Sequence, residues 1–106
     1  MDTKKRILLV EDDTALSGVY KARLELEGFE VLEVANGEEA LTTALDFKPD
    51  LILLDAMMPK ISGFDMLDIL RSTTETKNIK VIMMTALSSE EQRQRGESLG
   101  ADRYLV

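Results

Sequence analysis

An α/β domain wound on one parallel sheet is the architecture this chain encodes. Short apolar runs without polar alternation, Ile7-Leu8-Leu9-Val10, Leu51-Ile52-Leu53-Leu54 and Val81-Ile82-Met83-Met84, read as strands covered on both faces. Segments of helical periodicity separate them, with turn or cap residues at the changes of pattern. The order is βαβαβαβαβ. Strict alternation implies right-handed crossovers, a single sheet and helices on both of its faces.

Residues 7–10 form the first strand, which runs into Glu11-Asp12-Asp13. A helix over 14–27 follows, with Leu16, Val19, Tyr20, Leu24 and Leu26 as its apolar residues. Thr14 is its expected N-cap, and Gly28 supplies the left-handed residue after it. Residues 29–34 form the second strand, and Asn36-Gly37 a turn. The helix over 38–47 lines up Ala40, Leu41, Ala44 and Leu45, and Pro49 stops it. The third strand, 51–54, runs into Asp55. An irregular loop with two breakers, Pro59 and Gly63, precedes a helix over 64–71 with Phe64, Leu67 and Leu70 in step. Residues 79–85 form the fourth strand, ending on Thr85. Ser88 and Glu91 have capping-box spacing for a mostly polar helix reaching about Leu99. Gly96 inside that helix costs about 1 kcal/mol against Ala, so this is expected to be the least stable element. Gly100 ends it, and 102–106 is a fifth strand.

The chain has 106 residues, enough for one domain, and 44% hydrophobic content, enough for one core. A net charge of -7 argues against a nucleic-acid-binding face. Without cysteine or histidine there are no disulfides and no thiolate or imidazole metal sites. The basic start is followed by only four apolar residues, which fits neither a signal peptide nor a membrane span, so a cytoplasmic domain is the expectation.

In an open parallel sheet ligands bind outside the carboxyl ends of the strands. Glu11, Asp12, Asp55 and Thr85 stand at three such ends. Three close carboxylates repel unless protonated or neutralised by a cation. An all-oxygen donor set suits Mg2+, which keeps several waters and bridges to phosphate. Asp55, alone after an apolar strand, is placed to act as a nucleophile toward phosphorus, with the Thr85 hydroxyl donating to a phosphoryl oxygen.

The stretches Ile-Leu-Leu-Val-Glu-Asp-Asp at 7–13, Asp-Leu-Ile-Leu-Leu-Asp at 50–55, Met-Pro-Lys-Ile-Ser-Gly at 58–63, Met-Thr-Ala at 84–86 and Gly-Ala-Asp-Arg-Tyr at 100–104 resemble a response-regulator receiver domain over essentially the whole chain. The resemblance implies a flavodoxin-like five-stranded sheet in the order 2-1-3-4-5, lacking the last helix. It implies phosphorylation on Asp55 by a histidine kinase or phosphotransfer protein. Mg2+ would be held by Glu11, Asp12, Asp55 and the backbone carbonyl of Met57. Thr85 would be the switch hydroxyl, Ala86 the small residue beside it and Tyr104 the switch aromatic. Such a module is a phosphoacceptor with at most weak self-catalysis.

Receiver domains carry a lysine just after the fifth strand, one position beyond Val106, and Lys60 sits on the wrong loop to replace it. Without that lysine Mg2+ binding is expected to tighten and phosphoryl transfer to slow. A sheet face short of one helix is expected to be covered by another copy, as a homodimer or swapped assembly. Met57 and Leu87, two residues after Asp55 and Thr85, are apolar and cannot orient water, so slow self-dephosphorylation is expected. Other readings fit less well. A flavin carrier needs a hydroxyl- and Gly-rich phosphate loop where Glu11-Asp12-Asp13 stands. An aspartate-nucleophile phosphatase needs an Asp where Met57 stands. A dinucleotide domain needs Gly-x-Gly-x-x-Gly after the first strand. A fragment without signalling activity, acting as a structural or self-associating unit, is the remaining alternative.

Overall fold

A computed structural model of the chain describes residues 4–58, 60–84 and 90–105, with the backbone alone described at 90–93 and 103–105. Nine elements alternate: β1 (Arg6–Val10), α1 (Thr14–Leu26), β2 (Glu30–Val34), α2 (Gly37–Phe47), β3 (Leu51–Asp55), α3 (Gly63–Ser72), β4 (Lys80–Met84), α4 (Glu90–Ser98) and β5 (Arg103–Leu105). The sheet order is β2-β1-β3-β4-β5, and every pairing is parallel. The chain winds outward to β2 from one side of β1 and returns to β3 on the other. The crevice of this reversal lies between the carboxyl ends of β1 and β3.

The apolar runs are buried on the face toward α2 and α3, whereas on the α1 face Leu51, Ile82 and Met84 stay half-buried, and alternate residues divide between two clusters. Leu8, Val10, Ile52, Leu54, Val81 and Met83 join Ala40 and Ala44 of α2 and Phe64, Leu67 and Leu70 of α3 in the larger one. Ile7, Leu9, Val31 and Leu53 face the other way, against Tyr20 and Leu24 of α1. Each fully buried Leu, Ile or Phe stabilises the fold by about 1.5–3 kcal/mol relative to exposure, so these two clusters hold the strands in register.

Two local expectations are corrected. The N-cap of α1 is Asp13, whose carboxylate accepts the Leu16 amide at 3.1 Å, and Thr14 is the first helical residue. Asn36-Gly37 is not a free turn: Asn36 caps α2 by accepting the Glu39 amide at 2.9 Å, and the helix starts at Gly37. The inward face of α1 also differs. Val19 is 65% exposed and Leu26 85%, whereas Ser17 is buried and donates to a carboxylate oxygen of Glu33. Residues 17, 20 and 24 share one face at helical spacing, and a small hydroxyl with a partner on β2 sits against the sheet better than Val19 turned inward. Gly28 and Gly100 hold φ of 97° and 100° after α1 and α4, where the left-handed region favours glycine. The Ser88 expectation lies outside the described residues.

Candidate functional site at the carboxyl ends of β1 and β3

The parallel ladder places the acidic residues. Val10 pairs with Leu54, so Glu11 and Asp55 leave adjacent strands at the same level. The Glu11 amide donates to Val34 at 3.1 Å, and the Ala56 amide to Met84 at 3.0 Å. Both strands are therefore pinned on their outer sides up to the point where the carboxylates project.

Glu11, Asp12 and Asp55 each present a carboxylate oxygen, and all three lie within 4.8 Å of one another. Glu11 is 6% exposed, Asp55 half-buried and Asp12 exposed. None of the ion pairs among the described residues involves them. Burial, then crowding by Asp55 and Asp12, pushes Glu11 up to about 7, against the Asp13 amide donating to its carboxylate at 3.2 Å. Burial raises Asp55 as well, opposed by the Met57 amide, which donates to Asp55 Oδ1 at 3.1 Å. Crowded carboxylates whose ionised forms are disfavoured are the situation a divalent cation relieves. The all-oxygen set fits a hard cation such as Mg2+, with room for water on the side of exposed Asp12.

The loop after Asp55 is closed by α3. The Gly63 amide donates to the Ala56 carbonyl at 3.1 Å. A Cβ on Gly63 would stand 2.1 Å from the Asp55 carbonyl oxygen and 2.7 Å from the Ala56 Cα. Only a residue without a side chain lets α3 start against the backbone of the nucleophile candidate. Ser62 caps that helix, accepting the Asp65 amide at 3.2 Å. In the sequence Gly63 reads as a loop breaker. Its place immediately after a capping serine was the available signal for a closer role.

Of the residues singled out in the sequence, Glu11, Asp12, Asp55 and the Met57 backbone meet at this site. Asp13 leaves the run to cap α1. Lys60, at φ 66° on the same loop as Met57, is exposed and makes no ion pair among the described residues. Register sets Met84 opposite Asp55, but Thr85, Ala86 and Leu87 lie outside the described residues. Tyr104 belongs to β5 opposite Met83, and its side chain is not among those described. A cavity of about 440 Å³ lined by Ala44, Leu45, Lys48, Pro49, Glu75 and Ile79 lies at the other end of the sheet, away from the acids.

Comparison with known proteins places this geometry in a family. Residues 7–106 match the model of the response regulator receiver domain. The chain is 51% identical over 100 residues to the transcriptional regulatory protein CpxR of Escherichia coli, covering 94% of this chain and 41% of that protein. It is 43% identical over 101 residues to the phosphate regulon transcriptional regulatory protein PhoB of Rhizobium meliloti, covering 95% and 44%. The chain thus spans about two fifths of the length of these relatives. In structure it is similar to the chemotaxis protein CheY4 of Vibrio cholerae, with a TM-score of 0.93 at 31% identity over 98% of this chain and 87% of that one.

Proposed function

Because the chain belongs to the response regulator receiver domain family, we propose that it is a phosphoacceptor module of a two-component phosphorelay, taking a phosphoryl group on Asp55 in the presence of Mg2+. The observation that carries this is the convergence of Glu11, Asp12 and Asp55 at the β1/β3 crevice with no cationic partner among the described residues. The donor is a histidine kinase or phosphotransfer protein. An Asp55 carboxylate oxygen attacks phosphorus, the bond from phosphorus to the donor imidazole breaks, and the imidazole leaves carrying the electron pair. Bound Mg2+ supplies positive charge to the phosphoryl oxygens. Glu11, Asp12 and the Met57 carbonyl hold the cation with Asp55, and the Met57 amide orients the Asp55 carboxylate. Thr85 donates to the phosphoryl group, Ala86 leaves it room, and Tyr104 responds to its movement. The domain acts as a switch rather than as an enzyme with turnover, and it works in the cytoplasm. Among the described residues no helix is long and apolar enough to cross a membrane.

The test uses acetyl phosphate and Mg2+, read by intact mass. A gain of one phosphoryl group is expected, dependent on Mg2+ and absent in Asp55→Asn. No gain in the parent chain, or a gain that survives in Asp55→Asn, overturns the reading. Self-association as a homodimer or swapped assembly covering the sheet face beside α1 accompanies it, where Leu51, Ile82 and Met84 are only half-buried. Sedimentation showing only monomer at micromolar concentration would remove that part alone.

A further inference from the structure

The chain contains six methionines, and the fold treats them unequally. Met58, Met66 and Met83 are buried, and Met84 is half-buried. Met57 is 58% exposed. Its amide donates to the Asp55 carboxylate at 3.1 Å, which places this exposed residue on the loop that borders the acidic cluster. Nothing in the proposed phosphoryl chemistry uses that sulfur.

We propose that Met57 is a site of reversible oxidation by hydrogen peroxide, and that its sulfoxide shortens the lifetime of the phosphoryl group on Asp55. The second part rests on the phosphoacceptor reading and the first does not. A sulfur lone pair attacks one peroxide oxygen. The O–O bond breaks, an S–O bond forms and water leaves, so sulfur is oxidised by two electrons and peroxide reduced. Reaction goes first to the sulfur that peroxide can reach, and the product is reducible by thiol-dependent sulfoxide reductases.

The functional consequence follows from what each form accepts. A thioether is a weak hydrogen-bond acceptor, whereas a sulfoxide is polar and its oxygen accepts strongly. Water attacking phosphorus is helped by a group within hydrogen-bond reach that orients it. As the thioether, Met57 offers no such group. As the sulfoxide, it puts one on the residue whose backbone already contacts the acceptor. The added oxygen brings no net charge, so cation binding by the carboxylates is expected to be retained.

Limiting hydrogen peroxide followed by peptide mass mapping tests the site. Met57 is expected to gain oxygen before Met58, Met66, Met83 and Met84, and oxidation of any of these ahead of Met57 overturns it. Loading with acetyl phosphate and Mg2+, then following phosphoryl loss by intact mass, tests the effect. Oxidised protein is expected to lose the group several-fold faster than untreated protein, and reductase treatment to restore the slower rate. Met57→Leu should show one lifetime before and after peroxide, and Met57→Gln a lifetime shortened without peroxide. Equal lifetimes in oxidised and untreated protein overturn the effect. A parent chain that never loads overturns the phosphoacceptor reading and the lifetime effect with it, while the oxidation map stands or falls by itself.

Discussion

At the carboxyl ends of β1 and β3, three carboxylates crowd within 4.8 Å and no ion pair among the described residues neutralises them. At the amino ends of β4 and β5, charge is arranged in the opposite way. Arg71 donates to the carbonyls of Gly100, Lys77 and Ile79 at 2.9, 3.1 and 2.6 Å and pairs with Asp102 at 3.0 Å. Asp102 also accepts the Val81 amide at 2.8 Å. There the guanidinium and the carboxylate compensate each other and tie down backbone groups of three segments. Paired charge at one end of the sheet builds the fold. Uncompensated charge at the other end costs stability and is held in place by the surrounding packing, which is what the proposed phosphoacceptor role would require.

Helix α3 touches both regions, with Gly63 against Asp55 at one end and Arg71 at the other. Its ten residues span about 15 Å. The largest expected effect comes from its first residue. In Gly63→Ala the new Cβ meets backbone at 2.1 Å, and backbone cannot swing away as a flexible side chain would. A loss of about 3 kcal/mol is expected in urea unfolding, together with weaker stabilisation by Mg2+ as the Asp55 loop shifts. A loss under about 0.5 kcal/mol would mean that α3 does not constrain the site.

Arg71→Met keeps the aliphatic stem and removes the guanidinium, leaving three carbonyls and the Asp102 carboxylate short of a donor. A loss of about 2 kcal/mol is expected, with the increment in stability on adding Mg2+ unchanged. Arg71→Lys should recover little, because one ammonium cannot reproduce the planar fork. If Arg71→Met instead abolished the Mg2+ increment, the two ends would not be independent and the contrast between them would fail.

These two regions were unequally legible in the sequence. The acidic site was readable because each part is local: an apolar run ending on a carboxylate places that carboxylate at a sheet end, and alternation of elements makes the ends converge. The cap of α1 was one residue off, at Thr14 rather than Asp13, because both can cap and only the fold shows which side chain reaches the Leu16 amide. The Arg71–Asp102 pair had no signature, because its partners are 31 residues apart and the pair exists only after β5 docks beside β4. Ser17 facing inward was equally hidden: the partner that makes its burial tolerable, Glu33, is brought by β2. Periodicity counts apolar residues and so selected Val19, which the fold leaves 65% exposed.

The smallest effect is the most diagnostic of uncompensated charge. Glu11 rises from 4.5 to about 7 on folding, chiefly by burial. The folded state therefore holds a proton that the unfolded chain releases across that interval. Without a divalent cation, stability is greatest below the unfolded value and falls as pH climbs from 4.5 toward about 7, after which this group adds no further slope. The raised Asp55 acts in the same direction. A cation competes with the proton that Glu11 retains at low pH, so its stabilising effect should grow over the same interval. Glu11→Gln replaces the carboxylate by a neutral group of the same shape. In chelator its stability should exceed that of the parent by about 1 kcal/mol at neutral pH, once solvent screening from the open side at Asp12 is discounted, and match it in mild acid. With Mg2+ the order should invert, because a ligand is gone. Urea titrations of both proteins, acidic and neutral, with chelator or with Mg2+, read all four differences. A parent stability flat with pH in chelator would show that burial and crowding at Glu11 cost nothing. The carboxyl ends of β1 and β3 would then be as well compensated as the corner around Arg71.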